Sequence, residues 1–466
     1  MITDFFIQFR SETALTALIL LLLFLKITRE VKNESLLQWM QLLLCGVLLL
    51  IASGPLEGHL FGSMFTATPL ITLEKLILTT GFLLICMLHH EWLKAHEHLI
   101  EFLILSLSSL LGMFLFVSSG HLMLLYLSVE LITIPIAAMV NFDLEKRRSS
   151  EAAMKMILSS AFASGVLLFG ISLIYGTTGT LQLHELPAAL QLQPLQIAAF
   201  LLLISAFAFK LSAVPFHLWT ADVYEGAPIA VAAFLSVLSK GAVTFMLITL
   251  LYKVFYPLEE VGYLLLQILS ILTVLIGNLF ALRQKNFKRF LAFSSIAQIG
   301  FILAALSSFT IQGAAASVYF IIVYLFSNLA AFGIISIVSS HNGKEDLEHY
   351  RGFYKNNKFL SWVLALSLFS LAGIPPTAGF FGKYFLLIAA SAREQFVFVT
   401  ILALNLMLSL YYYLNIIRLI FSKSTQEMEL VRISPPAKLA LWICSAGILL
   451  LGFAGNLLAH IQSIIN

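Results

Sequence analysis

The sequence predicts an all-α polytopic membrane protein of about fourteen transmembrane helices, two of them broken, arranged as inverted repeats. Three observations lead there. Of 466 residues, 60% are hydrophobic and 11% charged, whereas ordinary soluble domains carry roughly 25% charged residues. Apolar runs of about 20 residues, the length of a membrane span, recur from one end to the other. Two such runs hold prolines near their middle: "KLSAVPFHLW" at 210–219 and "LAGIPPTAGFFGKYF" at 371–385.

The spans centre near residues 19, 45, 80, 108, 131, 165, 205, 240, 271, 299, 325, 374, 407 and 450. No long polar segment is left over for an extramembrane domain. The first span follows the N-terminus almost directly, without a small-residue cleavage site, and is expected to stay in the membrane. The charges orient the chain. Of 27 Lys and Arg residues, twenty fall in one set of alternating loops and four (Arg10, Lys75, Lys253, Arg393) in the other. The rule that cytoplasmic loops are basic then places both termini on the outer side. Cys45, Cys86 and Cys444 lie in apolar runs without metal-ligand spacing, so no disulfide, zinc site or iron–sulfur cluster is expected.

The three remaining basic residues, Lys210, Lys240 and Lys383, fall inside spans. Each costs about 3 kcal/mol or more on insertion scales. Pro215 lies just after Lys210, and Pro375, Pro376, Gly379 and Gly382 just before Lys383. Proline removes a donor and clashes with the preceding turn, so both spans should be interrupted. Broken backbone at membrane depth is tolerated only against protein or a wet cavity. A weak repeat accompanies the pair of breaks. Ser-Ser-x4-Gly occurs at 159–165 and at 294–300, an offset of 135, each copy after a basic stretch.

Glu130, in "LLYLSVELITIPIAAM", adds an acid with apolar neighbours on both sides. A proton crosses a low-dielectric layer by hopping between titratable groups and water. Lysine can serve as a carrier because burial and a nearby carboxylate act on it in opposite directions. Arginine cannot, because it stays protonated. Glu130, Lys210, Lys240 and Lys383 are therefore the candidate relay, and Glu130 is expected beside Lys210. The rival reading makes them ion pairs that lock helix packing. His217 either extends the series or caps freed carbonyls, and Gln298 reads better as a water-holding amide. Asp222 and Glu225 are either loop charges or anchors of the broken helix at the proton entry. Glu151 and Lys155 are further supporting candidates. The aromatic run "YYYLN" at 411–415 reads as interface belt and packing, and the charges of 341–358 as a solvated face. No phosphate loop, nucleophile triad or dinucleotide fingerprint is present, so redox chemistry on this chain is not expected.

"FKLSAVPFHLWTADVYEGAPIAVAAFLSVLSK", "YLSVELITIPIAAM", "EAAMKMILSSAFASGVLLFGISLIYGTTG", "NLFALRQKNFKRFLAFSSIAQIGF" and "SLFSLAGIPPTAGFFGKYFLL" closely resemble antiporter-like subunit N (subunit 2) of respiratory complex I. The matches run from about residue 120 to 390. The sister subunits L and M and the cation/proton antiporter subunits share the broken-helix lysines but are less similar in "VPFHLWTADVYEGAP". The resemblance implies helices one to three in 1–98, a first five-helix repeat (helices four to eight) in 99–252 and an inverted second (nine to thirteen) in 259–422. The last helix then lies in 437–466. By motif match Glu130 corresponds to the fifth-helix glutamate, Lys210 and Lys240 to the seventh- and eighth-helix lysines, and Lys383 to the twelfth-helix lysine. Many members carry histidine in place of Gln298 and proline in place of Ala221.

The resemblance implies a proton-translocating membrane-arm subunit of an NADH-quinone oxidoreductase. It holds no cofactor of its own; NADH or another donor, FMN, iron–sulfur clusters and quinone belong to partner subunits. Its expected neighbours are antiporter-like subunit M, small subunits K and J and the lipid bilayer, with no nucleic acid. The bacterial plasma membrane is the expected location, ahead of an organellar one. The alternatives are a multisubunit Na⁺/H⁺ antiporter, a ferredoxin-driven complex I relative, and a scaffold that conducts nothing.

Overall fold

In hydrocarbon only a helix or a closed barrel satisfies its own backbone, and the chain takes the helical solution throughout. The computed structural model describes residues 7–28, 32–54, 57–423 and 429–465. The first seven long helices are α1 (Arg10–Thr28), α2 (Asn33–Ala52), α3 (Pro69–Leu88), α4 (Leu99–Val117), α5 (Leu122–Val140), α6 (Arg147–Thr178) and α7 (Pro194–Leu211). A short α8 (Leu218–Gly226) follows. Then come α9 (Ile229–Val254), α10 (Tyr256–Ala281), α11 (Phe287–Leu306) and α12 (Ile311–Asn342). Next are α13 (Lys358–Ala372) and α14 (Ala378–Ala390), α15 (Phe396–Phe421) and α16 (Pro435–Phe453), and a terminal α17 (Gly455–Ile465).

Thirteen of these are long and apolar enough to cross a membrane; α13 and α14 together make the fourteenth span expected from the sequence. A two-stranded antiparallel hairpin, β1 (Gly58–Leu60) with β2 (Phe65–Ala67), joins α2 to α3. The last expected span is two helices, because the chain turns at Ala454 between α16 and α17.

Helices α9, α11 and α12 are buried along almost their whole length, whereas α1, α2, α15 and α16 leave most of their apolar surface outward. The centre is packed closely through small residues, as membrane bundles require. A Cβ on Gly277 of α10 would lie 2.6 Å from the Ala297 nitrogen of α11. Helix α9 is also irregular, with π-helical turns at Leu235–Ser239 and Leu250–Val254. Such turns often mark functional sites, and Lys240 follows the first directly.

Both proline breaks form as expected. After α7, Ser212 takes a left-handed conformation (φ 62°) and the Val214–Pro215 peptide is cis. The backbone groups released there find partners. Val214 N–H donates to Thr273 Oγ1 at 2.9 Å, and Trp219 Nε1 donates to the Phe209 carbonyl at 3.2 Å. After α13, Gly373 (φ 84°) turns the chain and Pro375–Pro376 is cis. Glycine is needed again at 379, where a Cβ would lie 1.8 Å from the Ser370 carbonyl oxygen. Gly379→Ala is therefore expected to push α14 off α13 and lower thermal stability by about 1–3 kcal/mol, as overpacking does. Thermal unfolding of the purified protein checks this.

Three expectations need correction. Lys75 is not a loop residue: it sits in α3, 4% exposed, with Nζ 2.6 Å from Glu12 Oε1 of α1. The aromatic run is not an interface belt throughout. Tyr411 is exposed, but Tyr412 and Tyr413 are buried and hydrogen-bonded. The charges of 341–358 are only partly a solvated face. Glu348 and Arg351 pair on the surface, while Glu345 lies 3.0 Å from the buried Lys288 and Tyr350 and Phe353 pack inside.

Candidate functional site

Lys210 occupies the last turn of α7, where the break at Ser212 leaves space beside it. Its ammonium donates to Thr133 Oγ1 of α5. Glu130 lies one turn earlier on α5, on the same face as Thr133. Glu130 Oε1 is enclosed without a hydrogen-bond partner, and no ion pair joins it to Lys210 among the described residues. The lysine thus rests on a threonine one helical turn from the acid and on the same face of α5. A small cavity, about the size of one water, adjoins the lysine. Thr133, Ser164, Lys210 and Ser239 contribute its polar lining. Ser239 immediately precedes Lys240, so this cavity separates the first lysine from the second.

Lys240 is 1% exposed. Its Nζ donates to Ser295 Oγ of α11 at 2.8 Å and lies 5.7 Å from the ring centre of Tyr224. One turn earlier on α9, Ser236 shares a buried cluster with Tyr324 (2.8 Å) and Asn328 (2.6 Å) of α12. Beside Ser295, Ser294 meets the Tyr413 hydroxyl of α15 at 2.5 Å. Gln298, one turn along α11, donates to that hydroxyl at 3.3 Å and to the Leu371 carbonyl at 3.2 Å. The same carbonyl accepts from Lys383 Nζ at 2.6 Å, with Ala372 O at 3.3 Å. The break after α13 frees these carbonyls, and the break also explains why a lysine is held there. Lys240 thus rests on Ser295 of α11, whose hydroxyl donates on to the Ala292 carbonyl at 2.8 Å, while Lys383 shares the Leu371 carbonyl with Gln298 of the same helix. Hydroxyls both donate and accept, as a proton path requires.

The supporting candidates gather where α8 meets α6 and α11. Asp222 Oδ2 accepts from Lys155 Nζ at 2.7 Å, and Asp222 Oδ1 from Arg289 Nη1 at 2.7 Å. Glu225 takes the same Arg289 nitrogen at 2.9 Å. Glu151 pairs with Lys155 at 2.8 Å. These bonds clamp the half-helix beyond the first break to its neighbours. A larger cavity behind them is lined by Lys146, Arg148, Glu225, Lys288 and Glu345. His217 is half-buried at the start of α8, and its Nδ1 has no partner. It joins neither chain of contacts. Among the described residues no group of three or more His, Cys, Asp or Glu could hold a metal ion.

Sequence reasoning missed Thr133, Ser295, Tyr413 and the Ser236–Tyr324–Asn328 cluster. Hydroxyls in an apolar span barely register in hydropathy, so only their partners reveal them. It also missed Glu12 and Glu74, both buried.

Residues 119–409 match the family described as NADH:quinone oxidoreductase/Mrp antiporter, TM. The chain is 45% identical over 451 residues to NADH-quinone oxidoreductase subunit N of Phocaeicola vulgatus, covering 96% of each. It is 42% identical to the protein of that name from Azobacteroides pseudotrichonymphae, covering 87% of this chain and 86% of the relative. Among solved structures, a chain of respiratory complex I from Thermus thermophilus with bound aureothin superposes with a TM-score of 0.81 at 29% identity. That match covers 96% of this chain and 98% of that one.

Proposed function

Because the chain belongs to the NADH:quinone oxidoreductase/Mrp antiporter transmembrane family, among relatives named subunit N, we propose that it moves protons across the membrane within a complex I-type enzyme. Quinone reduction takes place in partner subunits, where NADH, FMN and iron–sulfur clusters belong; antiporter-like subunit M and small subunits K and J are its neighbours. The membrane is the bacterial plasma membrane, with both termini outside. Residues 99–252 and 259–422 form the two inverted repeats.

One observation supports the reading: each of the three lysines meets buried polar groups, Lys210 beside a small cavity that reaches Ser239, Lys240 on Ser295, and Lys383 on the Leu371 carbonyl that Gln298 also meets. In the proposed cycle, Glu130 and Lys210 form a pair that opens and closes. Closed, the carboxylate holds the ammonium. Open, Lys210 turns to Thr133 and its proton becomes available to the water beside Ser239. Lys240 then accepts it, and water bridging from Ser295 past the Ser294–Tyr413–Gln298 cluster carries it on to Lys383. Asp222, Glu225, Lys155, Glu151 and Arg289 hold the broken helix at the cytoplasmic entry.

The test is Lys240→Ala in the assembled complex, reconstituted in vesicles. The expected result is fewer protons pumped per electron than the native enzyme. A native ratio would overturn the relay and favour a scaffold, for which removing a buried charge is neutral or stabilising. The family description also covers Mrp antiporters. Sodium-dependent proton flux from a purified assembly lacking redox subunits would favour that second reading.

A further inference from the structure

Two buried polar groups in contact with each other are both short of hydrogen-bond partners. Tyr224 of α8 is 0% exposed, yet its hydroxyl meets no partner. A buried hydroxyl left unbonded is costly, so such a group calls for an explanation. Lys240 has the complementary shortage. A protonated lysine carries three N–H donors and no acceptor. Among the described residues one acceptor meets its Nζ, Ser295 Oγ at 2.8 Å. Buried as it is, Lys240 has no bulk water to take up the remaining donors.

Lys240 Nζ lies over the Tyr224 ring, 5.7 Å from its centre, within the range at which a ring face attracts an ammonium. The hydroxyl sits on the rim of that ring. Three helices fix the ring. Phe332 of α12 meets it edge-on, with ring centres 6.3 Å apart. Asp222 and Glu225, on either side of Tyr224 in α8, both bond Arg289 of α11, at 2.7 and 2.9 Å. Gly226, at the end of α8, is pressed onto α6: a Cβ there would lie 2.5 Å from the Arg148 carbonyl oxygen. Lys240, in contrast, carries its charge on a flexible four-carbon stem. A swing of that stem brings the ammonium to the hydroxyl while the ring stays in place.

We propose that the Tyr224 hydroxyl is the second acceptor for the Lys240 ammonium, engaged when Lys240 receives a proton and released when that proton moves on. The inference rests on the reading of Lys240 as a proton carrier. In the step, the Lys240 amine takes up one proton and becomes an ammonium, which donates to Ser295 and Tyr224 together. Tyr224 keeps its own proton and stays neutral throughout. When the ammonium gives up its proton, the contact with the hydroxyl opens again, which is the arrangement seen here. The Arg289 ion cluster acts on the proton carrier by the same route, because it sets where α8 holds the ring.

The experiment compares Tyr224→Phe, Lys240→Ala and the Tyr224→Phe/Lys240→Ala double variant in the assembled, vesicle-reconstituted complex. The first readout is the rate of proton release after a short electron pulse. Tyr224→Phe keeps the ring and is expected to slow release about tenfold or more, the effect of losing one hydrogen bond to a charged group. The double variant is expected to be no slower than Lys240→Ala. The unfolding midpoint of Tyr224→Phe is expected to stay at or above the native value, because the deleted hydroxyl is unbonded in the fold. A native release rate in Tyr224→Phe, with Lys240→Ala impaired, would overturn this inference and leave the relay standing. A native rate in Lys240→Ala would overturn both. Slow release with a lowered midpoint would show that the hydroxyl holds the fold together, against the proposal. The second readout is infrared difference spectroscopy of the complex with ring-¹³C tyrosine. A tyrosine C–O band is expected to shift during turnover and to vanish in both single variants. Where Tyr224→Phe does not assemble, the native and Lys240→Ala spectra decide. No turnover-dependent tyrosine band, or one that survives in Lys240→Ala, would overturn the proposal.

Discussion

Lys75→Met is expected to destabilise the protein by about 3–5 kcal/mol, because it leaves Glu12 buried without its cation. The Glu12 side chain is 0% exposed and that of Lys75 5%, so water cannot replace the lost partner. The Ser11 hydroxyl remains as a donor but brings no charge. The Glu12→Gln/Lys75→Met double variant removes both charges and is expected to recover most of the loss, since replacing a buried pair whole is often neutral. Thermal unfolding of the three variants forms a double-mutant cycle. Additive losses would mean that the two charges are not coupled and that α1 is held to α3 by packing alone.

Tyr413→Phe is expected to slow proton transfer between Lys240 and Lys383 by about five- to 150-fold. It deletes the hydroxyl that Ser294 and Gln298 share. Each lost buried partner costs about 1–3 kcal/mol, and that range converts to this factor in a rate-limiting hop. Tyr412→Phe is the control. Its hydroxyl donates to Asn278 Oδ1 at 2.9 Å, off the path. Pumping kinetics under a short electron pulse separate the two. Equal rates in both variants would remove Tyr413 from the path.

The span count, the breaks and the three mid-span lysines were all readable from the sequence, for reasons of cost. A lysine in an apolar run and a proline in mid-helix are expensive, so each stands out singly. What was hidden depended on pairing. Lys75 lies near the start of a span whose edge the sequence fixes only to within several residues, so it read as a loop charge. Its partner Glu12 is 63 positions away. The three tyrosines at 411–413 look alike in composition, yet helical rotation puts the first outward and the next two inside. No ion pair joins Glu130 to Lys210 among the described residues. Thr133, one turn from the glutamate, competes for the ammonium, and nothing in an apolar run announces a threonine.

The burial of α9 on every side has an energetic consequence. At a membrane potential of 100 mV each charge carried across stores about 2.3 kcal/mol. A lysine open to water from both faces would let that store drain away whenever the enzyme idles. Lys240, 1% exposed and wrapped by packed helices, sits behind an electrical insulator. In the proposed relay, charge would leave it only when neighbouring groups rearrange, and the gradient would survive the pauses between turnovers.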